Sequence, residues 1–150
     1  MRAGVPMPDL REKHHPGCVV CSPHCAHGLQ LQFSPDGEGE VICAFACDPR
    51  YEGYPGLLHG GVISALLDGA MTNCLFTHGC AAVTAEMVVR FRHPVLLGRP
   101  AEIRAWIAGD HPTLFRLQAT LVQDGVVKAT ARATFMMPKF LSSAIGVAPA

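Results

Sequence analysis

The chain has 150 residues, one domain's worth, and 49% of them are hydrophobic against only 16% charged. Globular chains carry about 25% charged residues, so this composition excludes a disordered chain and leaves apolar surface to meet another subunit. Twelve Lys plus Arg balance twelve Asp plus Glu for a formal net charge of zero, which excludes a broad basic field for nucleic acid or an anionic membrane but not a small pocket for phosphates.

No stretch approaches the ~20 apolar residues that cross a bilayer. The start, Met1-Arg2-Ala3-Gly4-Val5-Pro6, has no apolar core of a signal peptide. A cytoplasmic protein is expected. The seven cysteines are an odd number, with Cys43, Cys47 and Cys74 inside predicted strands or a helix, and are read as free thiols packing as small hydrophobes.

Three units are expected: an irregular segment over 1–26, one folded domain over 27–138 and a small apolar tail over 139–150. From Gly28, Leu29, Leu31 and Phe33 alternate with Gln30, Gln32 and Ser34, the period of a strand. Pro35-Asp36-Gly37 is a turn, and Glu40 to Cys47 is the returning strand. Asp48 to Leu58 is a loop rich in Gly, Pro and Tyr.

A helix follows from about His59 or Gly60 to Thr77. Its apolar residues, Val62, Ile63, Ala65, Leu66, Leu67, Ala70, Met71, Cys74 and Leu75, cover most of the circumference, the pattern of a buried helix. Gly79 is placed to end it. Four strands come next: Ala82 to Pro94 with Val83, Ala85, Met87, Val89 and Phe91 on one side, Ala101 to Ala108, Thr113 to Val122 and Val126 to Met137. Asp124-Gly125 joins the last two as a hairpin turn. Strands on both sides of a single helix predict an α+β layer architecture and not a parallel βαβ fold, and a helix buried on nearly all sides needs a sheet that curls around it. Such a sheet leaves an edge strand and an apolar face that a second copy can cover.

His59-Gly60-Gly61 opens the helix. Glycines let the backbone approach a ligand closely, and the free N–H groups of a first turn suit an anion or a developing oxyanion. A plain helix start capped by His59 is the alternative. Asp68 stands mid-helix among apolar residues, where a carboxylate needs a partner or a task. Ser64, Asp68 and Thr72 form a polar stripe at i, i+4 and i+8 that faces a neighbouring subunit or a substrate cleft, the alternative being a structural Asp68 bonded to Ser64, Thr72 or nearby backbone. Thr84 opens the next strand, a setting ordinary for a β-branched residue. Cys18 and Cys21 sit among His14, His15, His24, Cys25 and His27, but no second spaced pair closes a four-ligand zinc site. No metal and no cofactor are assigned, and no phosphate-binding glycine loop or nucleophile elbow occurs.

Gly53-Tyr54-Pro55-Gly56-Leu57-Leu58-His59-Gly60-Gly61-Val62-Ile63-Ser64-Ala65-Leu66-Leu67-Asp68 is similar to the signature of the hotdog-fold acyl-CoA thioesterases of the phenylacetate-pathway (PaaI-like) branch. Val83 to Phe91 followed by His93-Pro94-Val95 resembles the same branch, and Cys18-Val19-Val20-Cys21 before His27-Gly28-Leu29-Gln30-Leu31 recurs in one subgroup, so the likeness covers about residues 18 to 138. The resemblance implies the hotdog fold, a curled antiparallel sheet wrapped around one long central helix, assembled as a homodimer, often a dimer of dimers, with sites built from both subunits at the interface. It implies that Gly60 donates its N–H to the thioester carbonyl and that His59 positions the substrate. It further implies that Asp68 of the partner acts as general base or nucleophile, and that Thr84 orients the attacking water. Some members carry Asn where this chain has Gly53, so the second carbonyl donor is not supplied from that position. On this reading Gly61, Leu58, Met71, Leu75 and Arg92 bind substrate, and Arg90, Arg92, Arg99 and Lys139 are available for the phosphates of coenzyme A. A non-catalytic acyl-CoA-binding module on the same fold is the alternative, with a dehydratase third.

Overall fold

A computed structural model describes residues 7–139; residues 1–6 and all but the first residue of the expected tail lie outside the described residues. Its elements are α1 (Met7–His14), β1 (Ser34–Asp36), β2 (Glu40–Phe45), α2 (Gly60–Thr77), β3 (Val83–Phe91), β4 (Ala101–His111), β5 (Leu114–Gln123) and β6 (Val126–Met136). The strands form one open antiparallel sheet in the order β1-β2-β4-β5-β6-β3, with α2 packed along one face. The α+β architecture therefore stands as expected.

Helix α2 lies where the apolar run put it. Gly79 ends it with φ +74, an angle that glycine adopts without strain, and its N–H reaches the Phe76 carbonyl at 3.0 Å. Asp124 and Gly125 both have positive φ, 52 and 75, as a two-residue turn between twisted strands requires. Leu66, Leu67, Met71 and Leu75 of α2 are fully buried, in one cluster with Ile103, Leu117, Leu121 and Phe135 from β4, β5 and β6. Each such side chain contributes about 1.5–3 kcal/mol by leaving water. Burial pushes the Cys43 and Cys47 thiols up to about 11 and Cys74 to about 12, so they are neutral packing groups.

Three expectations need correction. The first 26 residues are not all irregular, because they hold α1, whose Leu10 packs with Phe76 and Ala81. Leu29 to Phe33 is not a ladder strand. Gln30 has φ 51, which breaks extended pairing, and the N–H groups of Leu29 and Leu31 instead reach the carbonyls of Val19 and Val20 at 2.7 and 2.9 Å. Leu31 and Phe33 are buried all the same, so the alternation read the burial and not the pairing.

The third correction concerns β3. Thr84 pairs with Phe135 and Glu86 with Thr134, so the register slips by one residue between them. A bulge of this kind resets which side each residue faces. Val83 and Ala85 thus fall out of phase with Met87 and Val89. Thr84, opposite the fully buried Phe135, turns to the α2 side.

Candidate active site

The start of α2 is held from three directions. The Leu58 N–H donates to the Val95 carbonyl, the His59 N–H to Tyr51 and the Ile63 N–H to His59, at 2.9, 2.9 and 3.0 Å. His59 is the N-cap: its Nδ1 accepts from the Gly61 N–H at 2.8 Å. In a neutral ring that bond places the proton on Nε2. The cap uses the Gly61 donor and leaves the Gly60 N–H without an acceptor among the described residues. A methyl at Gly60 would already touch the Phe91 ring at 3.5 Å.

This helix tip opens on a cavity of about 790 Å³ lined by Gly53, Leu58, His59, Gly60, Phe91 and Arg92, among others. The size suits a small organic ligand. Gly53 is shaped by His59, since a Cβ there would stand 3.0 Å from the His59 Cα. Its own N–H is engaged by the Leu57 carbonyl at 2.9 Å, so Gly53 offers the cavity no donor.

Asp68 is half-buried in the middle of α2. Its stripe neighbours do not hold it: the Ser64 hydroxyl donates to the Gly60 carbonyl at 3.1 Å, and Thr72 to the Asp68 carbonyl at 3.0 Å. The carboxylate takes one hydrogen bond, from the Thr84 hydroxyl to Oδ1 at 2.6 Å. The bulge in β3 is what delivers that hydroxyl. His15 faces the same carboxylate. Burial lowers its imidazole pKa and the neighbouring His14 adds to the fall, while the Asp68 charge opposes it.

The structure thus brings the sequence-derived residues together as two groups. His59, Gly60, Leu58 and Arg92 line the cavity, with Gly61 bonded to the cap. Asp68 and Thr84 pair elsewhere, and nine residues of helix separate Asp68 from His59, about 13–14 Å along the axis. Met71 and Leu75, expected in an acyl pocket, are fully buried in the core and do not line this cavity. Arg99 is paired with Asp124 at 2.9 Å, whereas Arg92 faces the cavity. Phe91 and His93 also line the cavity and were given no role from sequence. Their position where β3 ends, just before Pro94, is the signal that marks them.

Residues 55–134 match the family model of the thioesterase superfamily. The chain belongs to the thioesterase superfamily. It is 37% identical over 65 residues to the acyl-coenzyme A thioesterase THEM4 of Bos taurus, a match that covers 43% of this chain and 26% of the bovine protein. The chain thus spans about a quarter of that relative's length. Among solved structures it resembles the PaaI protein of E. coli, from the phenylacetic acid degradation operon, with TM-score 0.68, 18% identity and coverage of 72% and 83% of the two chains. It also resembles smu.793 of Streptococcus mutans, solved with acetyl CoA, with TM-score 0.66, 22% identity and coverage of 71% and 86%. These likenesses establish the hotdog fold of the sheet and helix. None of the helices among the described residues is long and apolar enough to cross a membrane.

Proposed function

We propose that this superfamily member hydrolyses acyl-CoA thioesters, with each site assembled from two copies of the chain. The free Gly60 N–H at the mouth of the cavity carries the reading. Thioester hydrolysis passes through a tetrahedral oxyanion, and a fixed backbone donor at the positive end of a helix stabilises it. Loss of one such donor typically costs about 100- to 1,000-fold in rate. His59 fixes the helix tip through Gly61 and offers Nε2 as a positioning group. Arg92 meets the phosphates of coenzyme A.

Asp68 then serves as the base for water, or as the nucleophile, in the partner's site, and Thr84 fixes its orientation. As base it takes a water proton while the hydroxide oxygen attacks the carbonyl carbon. Collapse of the oxyanion breaks the C–S bond and releases the acid and coenzyme A thiol. A thiolate leaves without a strong acid. Seven cysteines with no disulfide among the described residues suit a reducing, cytoplasmic setting.

The test is thiol release from a panel of acyl-CoAs. Wild type releases thiol, and Asp68→Asn lowers kcat by about 100- to 10,000-fold with the fold intact. Binding of acyl-CoA without any release assigns the chain to the binding-module class, and an unchanged rate in Asp68→Asn removes that residue from the mechanism.

A further inference from the structure

The segment between α1 and β1 brings together three side chains that the proposed hydrolysis does not use. His15, Cys18 and Cys21 offer one ligand atom each, and these atoms all lie within 4.8 Å of one another. Two successive turns produce the convergence. The Cys18 N–H donates to the His15 carbonyl at 3.4 Å, and the Ser22 N–H to the Cys18 carbonyl at 3.0 Å. The Ser22 hydroxyl then ties the second turn to the first through the Pro16 carbonyl at 2.7 Å.

We propose that His15, Cys18 and Cys21 form a binding site for one divalent thiophilic ion of the zinc class. The Cys21 Sγ to His15 Nδ1 distance is 3.6 Å. A tetrahedral centre with Zn–N of about 2.0–2.1 Å and Zn–S of about 2.3 Å has an edge of about 3.6 Å between those two ligands. The Val20 N–H points at the Cys18 sulfur at 3.3 Å, an outer hydrogen bond that favours a thiolate ligand.

Charge and ligand type agree with that assignment. Two thiols release their protons to solvent on binding, and two thiolates with a neutral imidazole cancel the charge of the ion. A neutral centre is tolerable where Cys21 is buried and the other two ligands are half-buried. Two sulfurs and one nitrogen select zinc over magnesium or calcium. His24, Cys25 and His27 stay outside the cluster, so the fourth position falls to water or a small exogenous ligand.

The site would clamp the N-terminal segment onto α2. Val20 lies directly on Gly69, where an added Cβ would stand 2.4 Å from its Cγ1, and the His15 ring meets Phe76 edge-on at 5.1 Å. The clamp therefore sits beside Asp68 without contributing to hydrolysis. The experiment measures zinc in the purified full chain and titrates metal-free protein with Co²⁺. Expected are close to one zinc per chain and a cobalt spectrum with thiolate charge-transfer and tetrahedral bands. Cys18→Ser and Cys21→Ser should each weaken binding by more than about 100-fold, the upper end for loss of a mere outer-shell partner, while Cys25→Ser leaves it unchanged. Circular dichroism checks that each variant folds. If one does not, the wild-type cobalt spectrum still decides. Less than about a quarter of an ion per chain, a cobalt spectrum without sulfur bands, or equal weakening by Cys25→Ser overturns the proposal.

Discussion

The two edges of the sheet are built on opposite principles. At one, β1 is three residues long, and Arg104 of β4 gathers Asp36, Glu40 and Glu102 around its guanidinium. The bonds to Glu40 and Asp36 hold the Arg104 pKa above its ordinary value. A short, charged edge resists pairing with another chain. At the other, β3 runs nine residues and leaves Val83, Val88 and Phe91 exposed, Phe91 by 56%. Thr84, Phe91 and Arg92 all belong to that side. One edge is short and closed by charge, while the edge carrying the candidate site is long and mixes exposed apolar side chains with Glu86 and Arg90. A long edge with exposed apolar side chains is what the proposed interfacial site requires.

Breaking the open edge should have the largest effect. Val88→Lys places a charge on the exposed face of β3, which the proposed dimer would have to bury without a partner, at a cost of several kcal/mol. If the proposed dimer forms along β3, light scattering should show wild type associating at concentrations where the variant stays monomeric, and thiol release should fall to background in step. Activity that survives in a clean monomer would disconnect the site from the edge. The same comparison is sharpened by mixing Asp68→Asn with His59→Ala after joint refolding. If Asp68 serves the partner's helix tip, half the dimers are mixed and each holds one intact site, so about a quarter of wild-type activity returns. If each protomer uses its own Asp68, none returns.

A smaller loss is expected at the bulge. Thr84→Val keeps the strand's shape and removes the only hydrogen bond to the Asp68 carboxylate among the described residues. Hydrogen bonds to charged groups are worth about 1.5–3 kcal/mol, so kcat should fall about 10- to 100-fold with KM and the dimer unchanged. Thr84→Ser, which restores the hydroxyl, should recover most of the rate. A KM effect without a kcat effect would make Thr84 part of the binding surface instead.

That bulge also marks where the sequence stops being legible. Helix α2, its end at Gly79 and the Asp124-Gly125 hairpin follow from local rules: an apolar run, a positive φ and a two-residue turn. The inward face of Thr84 does not, because an inserted residue resets a period of two and leaves no trace in composition. That Met71 and Leu75 lie in the core and not along the cavity is hidden for a related reason. A helix apolar all round carries no phase to separate core from pocket. Helix α1 was hidden by its polarity, although Arg11, Lys13 and His14 in its last turn suit a helix dipole. The meeting of His15 with Cys18 and Cys21 depends on two turns tied by Ser22, which spacing alone does not predict.

The closed edge should yield the smallest effect. Arg104→Ala removes three ion pairs at once, but the guanidinium is about a third exposed and water already screens it. Partly exposed pairs contribute roughly 0.2–1 kcal/mol each and do not add fully, so a loss of about 1 kcal/mol and a Tm lower by a few degrees are expected. Dimerisation and thiol release should hold at wild-type levels, because neither the open edge nor the helix tip is touched. The loss should shrink in high salt, which screens the wild-type pairs. If Arg104→Ala instead formed larger assemblies through β1, the charges there would be acting as a guard against pairing more than as a source of stability, and the contrast between the two edges would be stronger than the ion pairs alone imply.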